Sequence, residues 1–391
     1  MILSDDQTTS PISTIQTSET VLLPYRFNQS VLKTIESFQM NPSALSYPDL
    51  TQLPFVWLTF VLLYLMVMFS ALFGNWLVCY TVLSNRKMQT VVNYYIVNLA
   101  LCDFLIGAFV LPSKMLELLA PSSWHLLNNS ICTVMAFLQT VIVFANILTL
   151  VATCFERYFA IVHPLKSRMQ QSKRRTCRIL IAVWLLTCFG SLPNFFSNSH
   201  AVMHQLDSDY GTIRRRTCLS NFESNFRTAY YTFLFVAFYL IPLSLIAFTS
   251  FCIARSLLRT SVLRRQGSLL RQEVNRRKVG KMILIVVLTF TIAWTPYFLV
   301  SIVTQYMSEN FMEKHNFYFT MLCINLFAFL HSSINPLIYA TMSTRFRKGF
   351  ARIIRILLCC SSGTPSTNIG NQNSFNEQVT SSRGSIVNGM M

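Results

Sequence analysis

The chain has 391 residues, of which 52% are hydrophobic and only 12% charged, whereas an ordinary soluble domain carries charge on about a quarter of its residues. Its formal net charge is +17, from 32 Lys and Arg against 15 Asp and Glu. That excess would suggest nucleic acid, but the bases gather on alternate loops between long apolar runs, a pattern that excludes a nucleic-acid surface and points to a bilayer.

In chain order, residues 1–54 form a polar, Ser- and Thr-rich tail without a basic start followed by an apolar run. It is therefore not a cleavable signal peptide, and the first spanning helix is expected to direct insertion. Seven apolar runs follow at Phe55–Leu83, Val91–Leu118, Cys132–Tyr158, Thr176–Phe196, Ala229–Ala254, Met282–Tyr306 and Phe317–Met342. Each satisfies the requirement of about 20 mostly apolar residues per spanning helix. The predicted fold is an all-α membrane protein, a seven-transmembrane helix bundle over 55–342. A short amphipathic eighth helix with a lipid anchor is expected over 343–360 and a disordered cytoplasmic tail over 361–391. No internal repeat supports an inverted-repeat transporter.

Bases follow the first run (Arg86, Lys87), the third (Lys166, Arg168, Lys173, Arg174, Arg175), the fifth (Arg255 to Lys281) and the seventh (Arg345, Arg347, Lys348, Arg352, Arg355). The positive-inside rule places these segments in the cytosol and the N-terminus outside, with anionic lipid accounting for most of the excess. Arg214–Arg216, in the outer loop between the fourth and fifth runs, is the exception and reads as a solvated triplet or an attractor for an acidic ligand.

This orientation leaves Cys132 and Cys218 as the two cysteines that an oxidising compartment reaches, and they are predicted to form a disulfide. Cys79, Cys102, Cys154, Cys177, Cys188, Cys252 and Cys323 read as small buried apolar residues. Cys359 and Cys360, after a basic, apolar-striped segment, suit S-palmitoylation. In the outer tail Asn28-Gln29-Ser30 is a glycosylation acceptor, while Asn128-Asn129-Ser130 lies too near the membrane and Cys132 for easy access.

Inside the spans, Asp103 is the deepest acid, and a carboxylate at such a depth costs at least about 2.5 kcal/mol unless polar partners, water or a cation meet it. Asn75, Asn146, Ser332 and Asn335 are placed to build a hydrated pocket around it, or equally a structural polar knot. Glu156-Arg157-Tyr158 ends the third span, where long side chains at the interface can pair while Arg157 lies under the bundle. Pro112, Pro193, Pro242, Pro296 and Pro336 each remove a backbone hydrogen bond and bend a helix, as static shapers or as hinges.

Taken in helix order, Gly74-Asn75-Trp76-Leu77-Val78, Leu99-Ala100-Leu101-Cys102-Asp103, Glu156-Arg157-Tyr158, Trp184, Pro242, Trp294-Thr295-Pro296 and Asn335-Pro336-Leu337-Ile338-Tyr339 form a pattern that resembles a rhodopsin-like (class A) G-protein-coupled receptor. The resemblance covers Phe55 to about Cys360 and has one motif in each of seven successive helices. It implies a plasma-membrane receptor whose ligand enters from outside and shifts the packing around Trp294 and Phe290. The sixth helix then swings outward at its cytosolic end. Arg157, released from Glu156, contacts a heterotrimeric G protein while Tyr339 rotates inward. The resemblance further implies a Na⁺ site at Asp103, Asn146 and Ser332, while Ser361, Ser374, Thr380 and Ser381 are candidates for phosphorylation that recruits arrestin, residues any tail of this composition contains. Phe346, Arg347 and Phe350 resemble the amphipathic helix on the inner membrane surface.

Three positions depart from the family pattern. Arg276 stands where some members place an acid that latches the third-helix arginine, which predicts appreciable signalling without ligand. Ser250 replaces a common tyrosine, and Ala293 a common cysteine. Gln139 occupies the aspartate position of aminergic receptors, so amines are disfavoured, and Phe329 occupies the opsin lysine position, which argues against photoreception. The expected ligand is a neuropeptide, with Gln139, Thr140, Trp294, Tyr297, Phe298 and Phe329 as candidate pocket residues. The alternatives are a non-peptide small-molecule receptor and a receptor-like scaffold without a ligand. No nucleophile-base pair or metal motif within the spans supports an enzyme.

Overall fold

The computed structural model describes residues 53–119, 128–164, 172–197, 200–208, 211–259, 268–306 and 317–361. Among them, seven helices are long and apolar enough to cross a membrane. α1 runs over Pro54–Leu83 and starts with proline at its first turn, where a missing N–H leaves nothing unsatisfied. α2 joins Val91–Leu105, a π turn Ile106–Val110 and Leu111–Leu119. α3 spans Asn129–Val162 and α4 Lys173–Phe196. α5 joins Ser224–Phe235, a second π turn Val236–Leu240 and Ile241–Arg259. α6 is Ser268–Tyr306, α7 Phe317–Met342 and the amphipathic α8 Thr344–Ser361.

Side-chain caps fix several helix starts. Thr90, Asn128 and Ser172 each accept a hydrogen bond from the backbone N–H three residues on, satisfying a donor the helix itself leaves open. At Asn128 this holds the side-chain oxygen against α3, a further obstacle to glycosylation there. Pro112 and Pro242 each follow a π turn. The Leu111 and Ile241 N–H groups reach back five residues to the Ile106 and Val236 carbonyls, and this wider turn accommodates the proline ring next in sequence. Pro193, Pro296 and Pro336 lie inside α4, α6 and α7.

α3 packs against α2, α4, α5 and α6, and half of its membrane window is buried, as for α7 and close to the 56% of α2, against 22% for α1 and α4. The outward faces carry large apolar side chains such as Met66, Phe69, Leu185 and Phe189. Hydrocarbon demands such a surface, which water would not tolerate. Lipid exposure also corrects the reading of the thiols. Cys102 and Cys154 are buried, but Cys79, Cys188, Cys252 and Cys323 are half-buried and Cys177 is exposed.

Two features exceed the sequence reading. α6 begins at Ser268 rather than Met282 and has 39 residues, about 58 Å of helix against about 30 Å of hydrocarbon. Its inner third is basic, and hydropathy ends where the charges begin, although Arg, Lys and Gln are good helix formers. The outer loop also contains an antiparallel hairpin, β1 His200–Ser208 with β2 Gly211–Leu219, in register Ala201↔Cys218. A disulfide joins Cys218 to Cys132 across a Cα separation of 5.3 Å and ties the hairpin to the outer end of α3.

Candidate functional site

The outer halves of α3, α5, α6 and α7 enclose a cavity of about 280 Å³. α3 contributes Gln139, Thr140, Val143 and Phe144, α5 Tyr231, Leu234 and Phe235, and α6 Tyr297, Phe298, Ser301 and Gln305. Among the described residues, no lining side chain is an acid or a strong base. Gln139 Nε2 donates to Tyr297 Oη at 3.2 Å, linking α3 to α6 across the cavity. Thr140 donates to the Ala136 carbonyl at 2.8 Å and accepts from Asn194 Nδ2 at 2.9 Å, which fixes its rotamer from α4. Four expected pocket residues, Gln139, Thr140, Tyr297 and Phe298, therefore line one space.

Trp294 and Phe329 do not line it. Both are fully buried beneath, ring edge to ring face at 6.0 Å and 80°. They belong to an aromatic floor in which Phe298 lies 4.1 Å from Tyr239 and 5.9 Å from Trp294, while Trp294 stacks on Phe290 at 6.1 Å. Such offset and edge-on contacts are favoured by the ring quadrupole and pack without voids. Phe290 then meets His331 edge-on at 5.3 Å.

Below this floor is the polar centre. Asp103 Oδ1 accepts from Asn146 Nδ2 at 2.9 Å and Ser332 Oγ at 2.8 Å, and its Oδ2 accepts from Asn335 Nδ2 at 2.7 Å. All four residues are buried, so these bonds offset the desolvation of the carboxylate. Asn75, expected in the same shell, instead donates to the Ser332 and Ala71 carbonyls, both at 2.9 Å. His331 was not anticipated. Its Nε2 lies 3.1 Å from Asn335 Nδ2, and the spacing of four residues on one helix face was the available signal. Contacts thus run without a break from the cavity through Phe298, Trp294, Phe290, His331 and Asn335 to Asp103.

The amide oxygens of Asn75, Asn146 and Asn335 are buried and receive no hydrogen bond. Carboxylate and amide oxygens such as those of Asp103, Asn146 and Asn335 are hard donors, the chemistry that suits a cation such as Na⁺ and not a thiophilic metal. Among the described residues no group of three or more His, Cys, Asp and Glu could hold a metal ion. A separate buried link, Trp184 Nε1 to Asn98 Oδ1 at 3.0 Å and Asn98 Nδ2 to Thr149 Oγ1 at 2.8 Å, joins α4, α2 and α3.

At the inner end both nitrogens of the Arg157 fork bond the two carboxylate oxygens of Glu156, and the pair is almost wholly buried. The Tyr158 hydroxyl lies 3.3 Å from His163 Nε2. Tyr339 is fully buried against Phe346 of α8 at 5.6 Å, and its hydroxyl has no hydrogen-bond partner. Pro336 removes the α7 backbone bond to the Ser332 carbonyl, which accepts from Asn75 Nδ2 at 2.9 Å instead. Asn28 lies outside the described residues. Cys359 and Cys360 fall in the last turn of α8, with side chains outside the described set.

The profile of the 7 transmembrane receptor (rhodopsin family) matches residues 74–339. The chain is 30% identical over 319 residues to neuropeptide FF receptor 1 of Rattus norvegicus, covering 77% of this chain and 71% of that receptor. It is 29% identical over 347 residues to the RYamide receptor of Drosophila melanogaster, covering 86% and 72%. The QRFP-like peptide receptor of Branchiostoma floridae is 30% identical over 295 residues, covering 75% and 76%.

Proposed function

Because the chain belongs to the rhodopsin family of seven-transmembrane receptors, we propose that it binds an extracellular neuropeptide in the outer cavity and activates a heterotrimeric G protein through its inner face. It is a receptor and not an enzyme. The observation that carries the ligand reading is that no described side chain of the cavity wall is charged. A charge brought into it would lose its hydration without gaining a counter-ion, so the end of the peptide that enters is uncharged, as a C-terminal carboxamide is. The Gln139 and Gln305 amides can pair with such a group. The relatives named for neuropeptide FF and RYamide agree with a peptide.

In this reading the ligand acts by preferring one packing of the aromatic floor. Displacement of Phe298 and Trp294 moves Phe290 and lets α6 bend at Pro296, so that its inner end swings outward. Arg157 then leaves Glu156 for the G protein, and Tyr339, whose hydroxyl lacks a partner, turns inward and gains one. Na⁺ held by Asp103, Asn146 and Ser332 favours the closed packing. The N-terminus faces outside and the tail the cytosol, where arrestin is recruited. Asn28 carries glycan, and Cys359 and Cys360 carry palmitate.

With a base at position 276, closure of the inner end rests on packing. A Cβ at Gly280 of α6 would lie 2.6 Å from Ile161 Cδ1 of α3, so only glycine lets the two helices approach this closely without displacing that side chain. A library of peptides in amide and free-acid forms, run beside an amine panel with calcium, cAMP and arrestin readouts, tests the function. The expected hit is an amide that weakens on Gln139→Ala; a response confined to the amines would overturn the peptide reading.

A further inference from the structure

Two threonines line the outer cavity, Thr140 on α3 and Thr304 on α6. Thr140 Oγ1 lies 2.8 Å from the Ala136 carbonyl oxygen, and Thr304 Oγ1 lies 3.0 Å from that of Ser301. Two oxygens come this close only with a hydrogen between them, and a carbonyl has none to give. Each threonine is therefore the donor in a bond to its own helix, a common use of hydroxyls there. A hydroxyl has one hydrogen and two lone pairs, so what either turns to the cavity is oxygen alone.

At Thr140 a second bond removes the remaining freedom. Asn194 Nδ2 reaches the Thr140 oxygen from α4 at 2.9 Å. The amide cannot face the other way, because its oxygen would then meet an oxygen whose hydrogen is already committed. Asn194 is 2% exposed, does not line the cavity and keeps its own Oδ1 without a partner. Its turn of α4 is pinned: Ser197 Oγ donates to the Asn194 carbonyl at 2.8 Å, and Tyr230 of α5 donates to the Gly190 carbonyl at 3.2 Å. Rotating Thr140 to present its methyl group would break both bonds of its hydroxyl.

We infer that Thr140, positioned by Asn194, makes the cavity specific for a primary carboxamide, a specificity that rests on the outer cavity being the site of the peptide end. Thr140 offers one lone pair and accepts an N–H. A carboxylate, an ester and a dialkylamide have no hydrogen to give, so each leaves that lone pair facing another oxygen or a methyl group. The primary amide has two. Its second N–H suits Gln139 Oε1, which is open because Gln139 turns its nitrogen to Tyr297. Tyr297, the acceptor in that bond, keeps its own hydrogen for the amide carbonyl.

The test uses the full chain at the cell surface with calcium, cAMP and arrestin readouts. The probes are four pools of the same peptide sequences, ending in carboxamide, N,N-dimethylcarboxamide, methyl ester or free acid. The two uncharged ends without N–H should each be about 25-fold weaker than the carboxamide, at about fivefold for each of two hydrogen bonds lost. Thr140→Val should lower the potency ratio of carboxamide to dimethylcarboxamide about fivefold, and Thr140→Ser should keep it. Asn194→Leu should lower the ratio in the same way, although it does not touch the cavity; a loss of packing alone would weaken both pools equally. Should Asn194→Leu fail to reach the surface, the Thr140 pair of variants still decides the role of the hydroxyl. An unchanged ratio in Thr140→Val, or in surface-expressed Asn194→Leu, would overturn the assignment. Equal potency of all four pools in the parent would overturn the carboxamide specificity and leave the peptide ligand standing, whereas silent pools beside active amines would overturn both.

Discussion

The outer cavity and the Asp103 centre are both polar islands inside a membrane, built on opposite plans. The cavity surrounds open space with amides, hydroxyls and rings and, among the described residues, contains no formal charge. The centre encloses a carboxylate with three side-chain donors, two of which, Asn146 and Asn335, keep their own amide oxygens unpaired. Charge is concentrated where conformations are to be distinguished, and neutral groups stand where a ligand is to be read. A buried charge makes a two-state element sensitive to small shifts, because losing one donor costs more than making it gains.

Changes on the two sides of the aromatic floor should therefore fail differently. The largest effect is expected at the inner end: Arg157→Gln at matched surface expression should abolish G-protein activation while labelled ligand still binds. Loss of both together would show that the inner and outer ends are not separable. Next is the bridge that ties the hairpin to α3. Cys218→Ser should cost about 2–5 kcal/mol, read as a fall in thermal midpoint and surface expression, and an unchanged midpoint would remove the disulfide from the account.

Asp103→Asn should erase the response of ligand affinity to NaCl against KCl, an effect in the range of about 5- to 150-fold for coupled sites. Persistence of the full difference would place the cation elsewhere. Gly280→Leu should raise ligand-free signalling several-fold by wedging α6 from Ile161, and unchanged basal activity would mean that packing there does not hold the closed form. The smallest shift belongs to the cavity: Gln139→Ala should move ligand potency about fivefold, near the net worth of one hydrogen bond of about 1 kcal/mol, with the maximal response preserved. A changed maximum with constant potency would reverse the roles assigned to cavity and centre.

How much of this was legible in the sequence differs between the same two regions. Asn146, Ser332 and Asn335 were readable as partners of Asp103, because each is a costly polar residue at matching depth and has few alternatives in hydrocarbon. His331 escaped although its four-residue spacing puts it on the face of Asn335, because a lone histidine in an apolar run is more often a packed core residue than part of a polar centre. The cavity was less legible. Gln139 and Tyr297 were found, but Phe144, Tyr231 and Gln305 were not, and Trp294 and Phe329 lie under it. Lining depends on how far neighbouring helices rotate, which hydropathy does not report. The same limit hid both π turns and the hairpin, while the basic start of α6 was lost because charge masks helix propensity.

The claim on which the rest depends is that the cavity and the inner ends of α3 and α6 belong to one switch centred on Asp103. The most direct measurement is the distance between the inner ends of α4 and α6 in nanodiscs. Spin labels at Cys177 and at Arg276→Cys report it, in a chain with Cys359→Ser and Cys360→Ser. A peptide agonist should lengthen this distance, Na⁺ should oppose the change and Asp103→Asn should abolish the opposition. An agonist that activates G protein while the distance stays constant, or a Na⁺ effect that survives Asp103→Asn, would contradict the claim.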